Sequence, residues 1–388
     1  MTNYFSDHYF NHSLRREISE LYASIAIKNF ALSMIAIFEP VYIYLIFQSL
    51  QAVVLYYAAV YTLYFFMVPL GGKAASRFGF EHAMLYSLPL LILYYLTLWA
   101  VPLYHSLIFL AVILLVVFKI FYWPAYHANF AHYGNPRYRA TEISTSRVIR
   151  SLVWIIGPII GGVILKFFGF SILFLVVAIL VLGSAIPLFT TREKFEPAHF
   201  SYWRPFERLI KSYGTYKRRF FLAFIGHGAD FIEIVFWPIF IYLVVKSYLG
   251  LGLITSIVTL VGILVTLVMG KLVDRSTKRG RKKILTISAL IYSPLWLLRA
   301  FAQTGFQVLA INIFSKTSQK GIDIPMTTFF YSKGKKRGFL KYVVFREMSL
   351  SFGRMLIAWI LLIVLVYTTS WFWIFGLAAL WSLWYLFL

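Results

Sequence analysis

The sequence predicts an all-α polytopic membrane protein, twelve transmembrane helices arranged as two pseudo-symmetric six-helix halves. Three observations carry this. Of 388 residues, 61% are hydrophobic and 13% charged, whereas a soluble domain is about half apolar and a quarter charged. The apolar residues come in long runs, each near or above the roughly 20 residues that cross a bilayer as a helix. The cations collect in alternate gaps between those runs, as membrane topology requires.

The runs fall at 20–47, 51–71, 83–103, 106–130, 143–166, 171–189, 220–246, 251–271, 283–303, 305–332, 342–367 and 370–387. They are apolar on all sides. Strands of a membrane barrel would instead alternate over about 10 residues. The first run extends past the 7–15 residues of a signal-peptide core and lacks a small-residue cleavage site, so it reads as a retained helix. Cysteine is absent, which excludes a disulfide framework, a thiolate metal site and a cysteine nucleophile.

The net charge is +23, from 37 Lys and Arg against 14 Asp and Glu. In a soluble chain this would suggest nucleic acid. Position decides otherwise. Two cations lie in the N-terminal arm, two after the second run and four between the fourth and fifth. Eight lie in the middle linker, seven between the eighth and ninth runs, and six between the tenth and eleventh. The opposite ends hold only Lys166 and Lys246. The remaining six lie inside helices. This asymmetry predicts cytoplasmic N- and C-termini in the plasma (inner) membrane, with the basic loops against anionic lipid headgroups and no nucleic-acid partner.

The stretch from Thr190 to Arg219 is the one long polar interval. It predicts an N-terminal bundle over 1–189, a cytoplasmic linker over 190–219 and a C-terminal bundle over 220–388. Trp203, Phe206, Tyr213 and Tyr216 suit a segment lying at headgroup level; a solvated tether is the other reading.

An internal repeat follows. Gly72-Lys73 opens a stretch with Arg77 five residues after the glycine, and Gly270-Lys271 opens another with Asp274 and Arg275. The copies are 198 residues apart, each after the second helix of its half. Here the chain resembles the major facilitator superfamily, whose loop pattern is Gly-x-x-x-Asp-Arg-x-Gly-Arg-Arg. The second copy keeps the acidic residue; the first has Ser76 in its place, with Phe80-Glu81 where basic residues are usual. Gly157-Pro158-Ile159-Ile160-Gly161-Gly162 resembles the Gly-Pro-x-x-Gly-Gly stretch of that family's drug/proton antiporters. Lys119 stands where some members carry an arginine, although Tyr122 and Trp123 follow in place of a glycine. The resemblance implies two bundles around a central cavity opening alternately to either side. It implies gating roles for Gly72, Arg77, Gly270, Asp274, Arg275, Gly157, Pro158, Gly161 and Gly162, with Asp274 capping the start of the fifth helix near Glu142, Arg147 and Arg150. Close helix packing is the competing role for the glycines, and a solvated ion pair for Asp274-Arg275.

Ten charged residues mark the interior of the runs: Lys28, Glu39, Lys119, Asp230, Glu233, Arg299, Lys316, Lys320, Asp323 and Arg354. Each costs about 2.5–3.5 kcal/mol or more at mid-bilayer, so each must pair or line water. Eight of them fall on runs 1, 4, 7 and 10, the cavity helices of the family. His227, Asp230, Glu233 and Trp237 share one helix face, as do Lys316, Gln319, Lys320 and Asp323. Lys119, Tyr122, Trp123, Tyr126 and His127 form an aromatic stripe ending in an imidazole.

Buried carboxylates are the groups that load and release protons. Glu233 and Asp230 are the first proton-coupling candidates and Glu39 the second; static salt bridges are the competing reading. The remaining cavity candidates are Lys28, Lys119, Tyr122, Trp123, Tyr126, His127, His227, Trp237, Lys316, Gln319, Lys320 and Asp323. Arg299 and Arg354 lie off the cavity helices and suit interhelix packing. No metal-ligand spacing, cofactor motif or nucleophile–base constellation stands out.

The expected function is a monomeric secondary active transporter, proton-coupled, exporting a small amphipathic compound. The alternatives are an importer of a small anion or zwitterion such as a sugar acid or peptide, a lipid scramblase, and a non-transporting membrane protein on the same fold.

Overall fold

The computed structural model describes residues 12–132, 139–189, 200–210, 215–334 and 339–387, with side chains over 23–129, 151–187, 200–209, 218–219, 221–328 and 340–387. Among these residues all extended regular structure is helical. The helices are α1 His12–Ile35, α2 Glu39–Phe47, α3 Leu50–Phe78, α4 Phe80–Ala100, α5 Leu107–His132, α6 Arg139–Gly183 and α7 Arg204–Ile210. They continue as α8 Thr215–Gly226, α9 Ala229–Val245, α10 Tyr248–Arg275, α11 Lys278–Arg299, α12 Gly305–Gly334, α13 Phe339–Tyr367 and α14 Trp371–Ser382.

These helices make twelve crossings in two six-helix bundles. Eight stretches among the described residues are long and apolar enough to cross a membrane by that measure alone. One of them, Ser151–Gly183, holds two crossings. Gly169 splits α6 with φ 75 and ψ −176, a conformation essentially closed to residues with a Cβ. α11 and α12 carry too many polar and charged residues for the same measure, and Trp371–Phe387 is shorter. The first crossing is α1 and α2 joined by a turn at 36–38. The seventh is α8 and α9 joined at His227 and Gly228.

The loops define a basic end, with Lys73, Arg77 and Lys271 to Lys283, and a sparse end, with Gln48, Lys166 and Lys246. At the sparse end, two turns are built alike. Gln48 (φ 48, ψ 30) closes α2, and Lys246 (φ 52, ψ 32) closes α9. They are the non-glycine residues with positive φ among the described residues. In each turn the next residue is a serine that caps the following helix: Ser49 accepts from Ala52 N at 3.2 Å and Ser247 from Gly250 N at 3.1 Å. A left-handed residue ends one helix and a serine starts the next. These turns too are 198 residues apart, so the repeat seen in the loop glycines extends to the backbone.

Large apolar side chains such as Phe109, Phe167, Leu264, Leu267 and Ile363 point outward, as expected where lipid is the solvent. Inside, glycines let backbones meet. A methyl on Gly161 would run into the carbonyl of Met34 on α1, and one on Gly157 into Ser33. Gly162 lies against Tyr248, and Gly252 against Pro158, so the same segment of α6 also packs on α10 of the other bundle. The linker residues Phe200, Tyr202 and Phe206 dock on α3 near its basic end. Tyr202 donates to Phe66 O at 3.0 Å, and Phe206 lies 5.8 Å from Phe65. Trp203 stays exposed. The expected linker positions Tyr213, Arg192, Lys194 and Lys211 lie outside the described residues.

Gly161→Ala should lower the thermal unfolding midpoint in detergent, an overpacking loss of about 1–3 kcal/mol. Gly183→Ala, where nothing lies within 4 Å of the added carbon, should leave it unchanged. Equal midpoints for both would remove the packing role of Gly161.

Candidate functional site

Two carboxylates sit where crossings are interrupted. Glu39 lies in the first turn of α2, just after the break at 36–38, and Asp230 in the first turn of α9, just after His227 and Gly228. Free N–H groups and the helix dipole favour negative charge there. Interrupted helices inside a bundle are also where transporters place their binding groups.

Around Asp230, His227 Nδ1 lies 2.8 Å from Oδ2 and Arg354 Nη2 3.8 Å from the same oxygen. Tyr385 Oη reaches His227 Nδ1 at 3.3 Å. Oδ1 of Asp230 is buried without a hydrogen-bond partner. The close crossing that brings Arg354 here is set by Gly228 on one helix and Gly353 on the other.

Glu233 has a different set of partners. Tyr292 Oη donates to its Oε2 at 2.7 Å and Gln319 Nε2 at 3.2 Å, while Lys316 Nζ lies 3.6 Å from Oε1. Lys316 donates to Gln319 Oε1 at 2.8 Å. The pairing of Glu233 with Lys316 and Gln319 joins the seventh crossing to the tenth. Trp237, on the same helix face, does not join this site. It stacks on Phe240 at 5.5 Å and covers Arg299 at 4.5 Å. Successive turns of one face of α9 meet different neighbours. Asp323 lies in the fields of Lys320, His227 and Asp230.

In the N-terminal bundle, Tyr57 Oη donates to Glu39 Oε1 at 3.0 Å, and Tyr56 and Tyr94 share a 2.9 Å hydroxyl contact beside it. Lys119 lies 4.6 Å from the ring centre of Tyr61 and 5.3 Å from that of Tyr64, with no ion pair among the described residues. Lys28 sits 3.3 Å above Tyr122 and 5.8 Å from Tyr126. The stripe on α5 is a stack: Phe118, Tyr122 and Tyr126 follow at 5.4 Å intervals, and Trp123 covers His127 at 5.7 Å.

The bundles meet along α3 and α13. Gln51 donates to Leu365 O at 3.0 Å at the sparse end, and Trp359 to Thr62 at 3.0 Å farther along. Toward the basic end, Glu347 gathers three helices. It accepts from Tyr64 at 3.2 Å and from Arg346 at 2.7 Å, and its Oε1 lies 3.7 Å from His127 Nε2. Neither Glu347 nor Arg346 belongs to the sequence-derived set. The preceding basic run makes the start of the eleventh crossing read as loop, yet Glu347 is buried. The spacing of Tyr57, Tyr61 and Tyr64 on one face of α3 is the signal in the sequence that marks this wall.

The loop residues stay apart from these groups. Asp274 and Arg275 are exposed, and Asp274 has no partner among the described residues. The expected cap on the fifth crossing involves the side chains of Glu142, Arg147 and Arg150, which lie outside those described. Arg281, not Arg275, closes α10 by donating to Val273 O at 3.0 Å. Ser76 bonds within its own turn, to Lys73 O at 2.9 Å. Arg77 is exposed beside Phe78, and nothing lies within 4 Å of a methyl placed on Gly270. Among the described residues no group of His, Asp and Glu is arranged to hold a metal ion.

The family model described as Major Facilitator Superfamily matches residues 21–229. Among solved structures, the chain is similar to a crystal structure of the nucleoside transporter NupG. The TM-score is 0.73 at 15% identity, covering 96% of this chain and 98% of that one; at that identity the likeness is one of fold. No curated protein matches.

Tyr64→Phe removes one donor to Glu347 and should loosen the junction of α3 with α13. Because the chain has no cysteine, a single Ser349→Cys at that buried junction can report alone. Its maleimide labelling should be faster in the Tyr64→Phe background; an unchanged rate would show that the hydroxyl does not hold the junction.

Proposed function

The chain belongs to the Major Facilitator Superfamily, and on that premise we propose that it is a proton-coupled secondary transporter working by alternating access. The family and the transporter fold point to transport of a small molecule rather than to catalysis. The rocking units are residues 1–189 and 220–388, linked by 190–219. The basic end faces the cytoplasm with both termini, in the plasma membrane, against anionic lipid. The working unit is one chain.

One observation carries the coupling. Asp230 and Glu233 lie one turn apart on an interrupted crossing, and each is held by partners on other helices: Arg354 on α13, and Lys316 and Gln319 on α12. Proton binding to either carboxylate removes the charge that attracts these partners. A ligand or proton that changes pairing in one state more than in the other shifts the equilibrium between states. Glu39, held by Tyr57, is the second candidate. The Glu347 cluster with Tyr64 and His127 acts as the gate at the basic end. The glycine contacts between α6 and α10 act as the gate at the sparse end. Gly72, Arg77, Gly270, Asp274 and Arg275 serve the basic-end gate in the state where the loops meet the helix ends.

Export of a small amphipathic compound is the first substrate reading, resting on the Gly157 to Gly162 stretch and the aromatic walls of α3 and α5. A second reading is favoured by one observation: Lys119 lies between tyrosine rings with no ion pair among the described residues. That suits the anionic group of an organic anion or zwitterion.

Purified protein in proteoliposomes with an imposed pH gradient tests both. The substrate panel should contain amphipathic cations, sugar acids, short peptides and, because of the NupG likeness, nucleosides. Asp230→Asn combined with Glu233→Gln should reduce gradient-driven movement of any substrate found to the level of empty liposomes. Full retention would remove these carboxylates from the coupling. Lys119→Gln should weaken an anionic substrate selectively and leave an amphipathic cation unaffected.

A further inference from the structure

Arg299 ends α11 at the sparse end and is fully buried, 0% exposed. Among the described residues its Nε, Nη1 and Nη2 have no hydrogen-bond partner. The guanidinium lies against two indoles, 3.8 Å from the centre of Trp296 and 4.5 Å from that of Trp237. The Nε1 groups of both tryptophans are buried without an acceptor as well. Five donor nitrogens thus share one sealed place. Indole faces attract a guanidinium, but they do not replace the acceptors that a buried cation gives up. An acceptor is therefore required in some state of the protein.

Helix geometry identifies it. Tyr292, Trp296 and Arg299 follow at steps of four and three on one face of α11. Glu233 and Trp237 are four apart on α9. Both helices run from the basic end toward the sparse end. Tyr292 meets Glu233 at one level, and Arg299 meets Trp296 and Trp237 at the next. The levels are about 5.4 Å apart. Helical side chains lean toward the N-terminus, so Arg299 leans toward Glu233. Among the described residues Oε1 of Glu233 is held only by Lys316, at the long distance of 3.6 Å, and Lys316 is shared with Gln319 and partly exposed.

We propose that Arg299 is a positioning residue, the reserve counter-ion of Glu233. When Lys316 leaves Glu233, Arg299 slips from between its indoles and pairs with the carboxylate. The seventh crossing then stays fixed to the ninth while Lys316 becomes free to face an anionic group. This rests on the reading of Glu233 as a carboxylate whose partners change during transport. Its test needs no transport, so the two fail separately.

The test compares Lys316→Gln, Arg299→Gln and the double variant in detergent by thermal unfolding and tryptophan emission. Lys316→Gln alone should lower the midpoint slightly, because Arg299 takes over. Arg299→Gln alone should leave it unchanged or raise it, since it removes a buried unpaired charge. The double variant should fall by more than the sum of the single shifts, because Glu233 then has no cation. Adding Glu233→Gln to the double should recover the midpoint. Additive shifts overturn the proposal. Emission gives a readout that packing alone would not move. Lys316→Gln should alter it as the guanidinium leaves the indoles, and should not alter it further in the Arg299→Gln background. Emission of Lys316→Gln identical to that of the unaltered protein also overturns the proposal, even if the double variant cannot be purified.

Discussion

Every interior charge among the described residues must find a partner or line water, and that constraint orders the rest of the structure. Within the bilayer an unpaired carboxylate is expensive, and these carboxylates are answered mainly by tyrosines. Tyr57 holds Glu39, Tyr292 holds Glu233 and Tyr64 holds Glu347, while His227 and Arg354 hold Asp230. A tyrosine hydroxyl is a neutral donor on an apolar body, so it can serve a charge without adding another. The breaks before Glu39 and Asp230 serve the same end by placing each carboxylate in the first turn of a half-helix.

The fold was legible because its signals are local and additive. Apolar runs gave the crossings, and the alternation of cations gave their common sidedness. The tight joint at Gln48 leaves little mark in the sequence. The structure shows why: a left-handed glutamine followed by a serine cap needs only two residues, with no proline or glycine to mark it. The candidate site was legible in part for the opposite reason. Spacing shows which residues of one helix share a face, but not which helix that face meets. His227, Asp230, Glu233 and Trp237 do share a face, and it meets α13, α12 and an aromatic cluster in turn. Glu347 escaped notice because Arg346 and the basic run before it resemble a loop. Arg299 and Arg354 were read as packing residues because spacing along their own helices does not show that Arg354 meets Asp230 or that Arg299 lies against Trp237 and Trp296.

The two halves share a skeleton but not a chemistry. Residues 198 apart include the paired turns, the loop glycines and the prolines Pro40 and Pro238. The same offset sets Glu39 against Trp237, Asp230 against Leu32 and Glu233 against Ile35. The backbone repeat therefore supplies equivalent hinges and interruptions, while charge is loaded unequally. The C-terminal bundle carries the ion pairs of Asp230 and Glu233, and the N-terminal bundle offers tyrosine walls with Lys119 and Lys28.

The paired turns at Gln48-Ser49 and Lys246-Ser247 have a mechanical consequence. Each joins the end of a crossing to a long helix, α3 or α10, through two residues with fixed dihedrals, leaving no slack to absorb a sliding motion. A hairpin so joined behaves as a stiff lever with its corner at the sparse end. Displacement there is carried along α3 and α10 to the basic end, about 40 Å away for helices of 28 or 29 residues. Small changes at the corner are thereby magnified at the far loops.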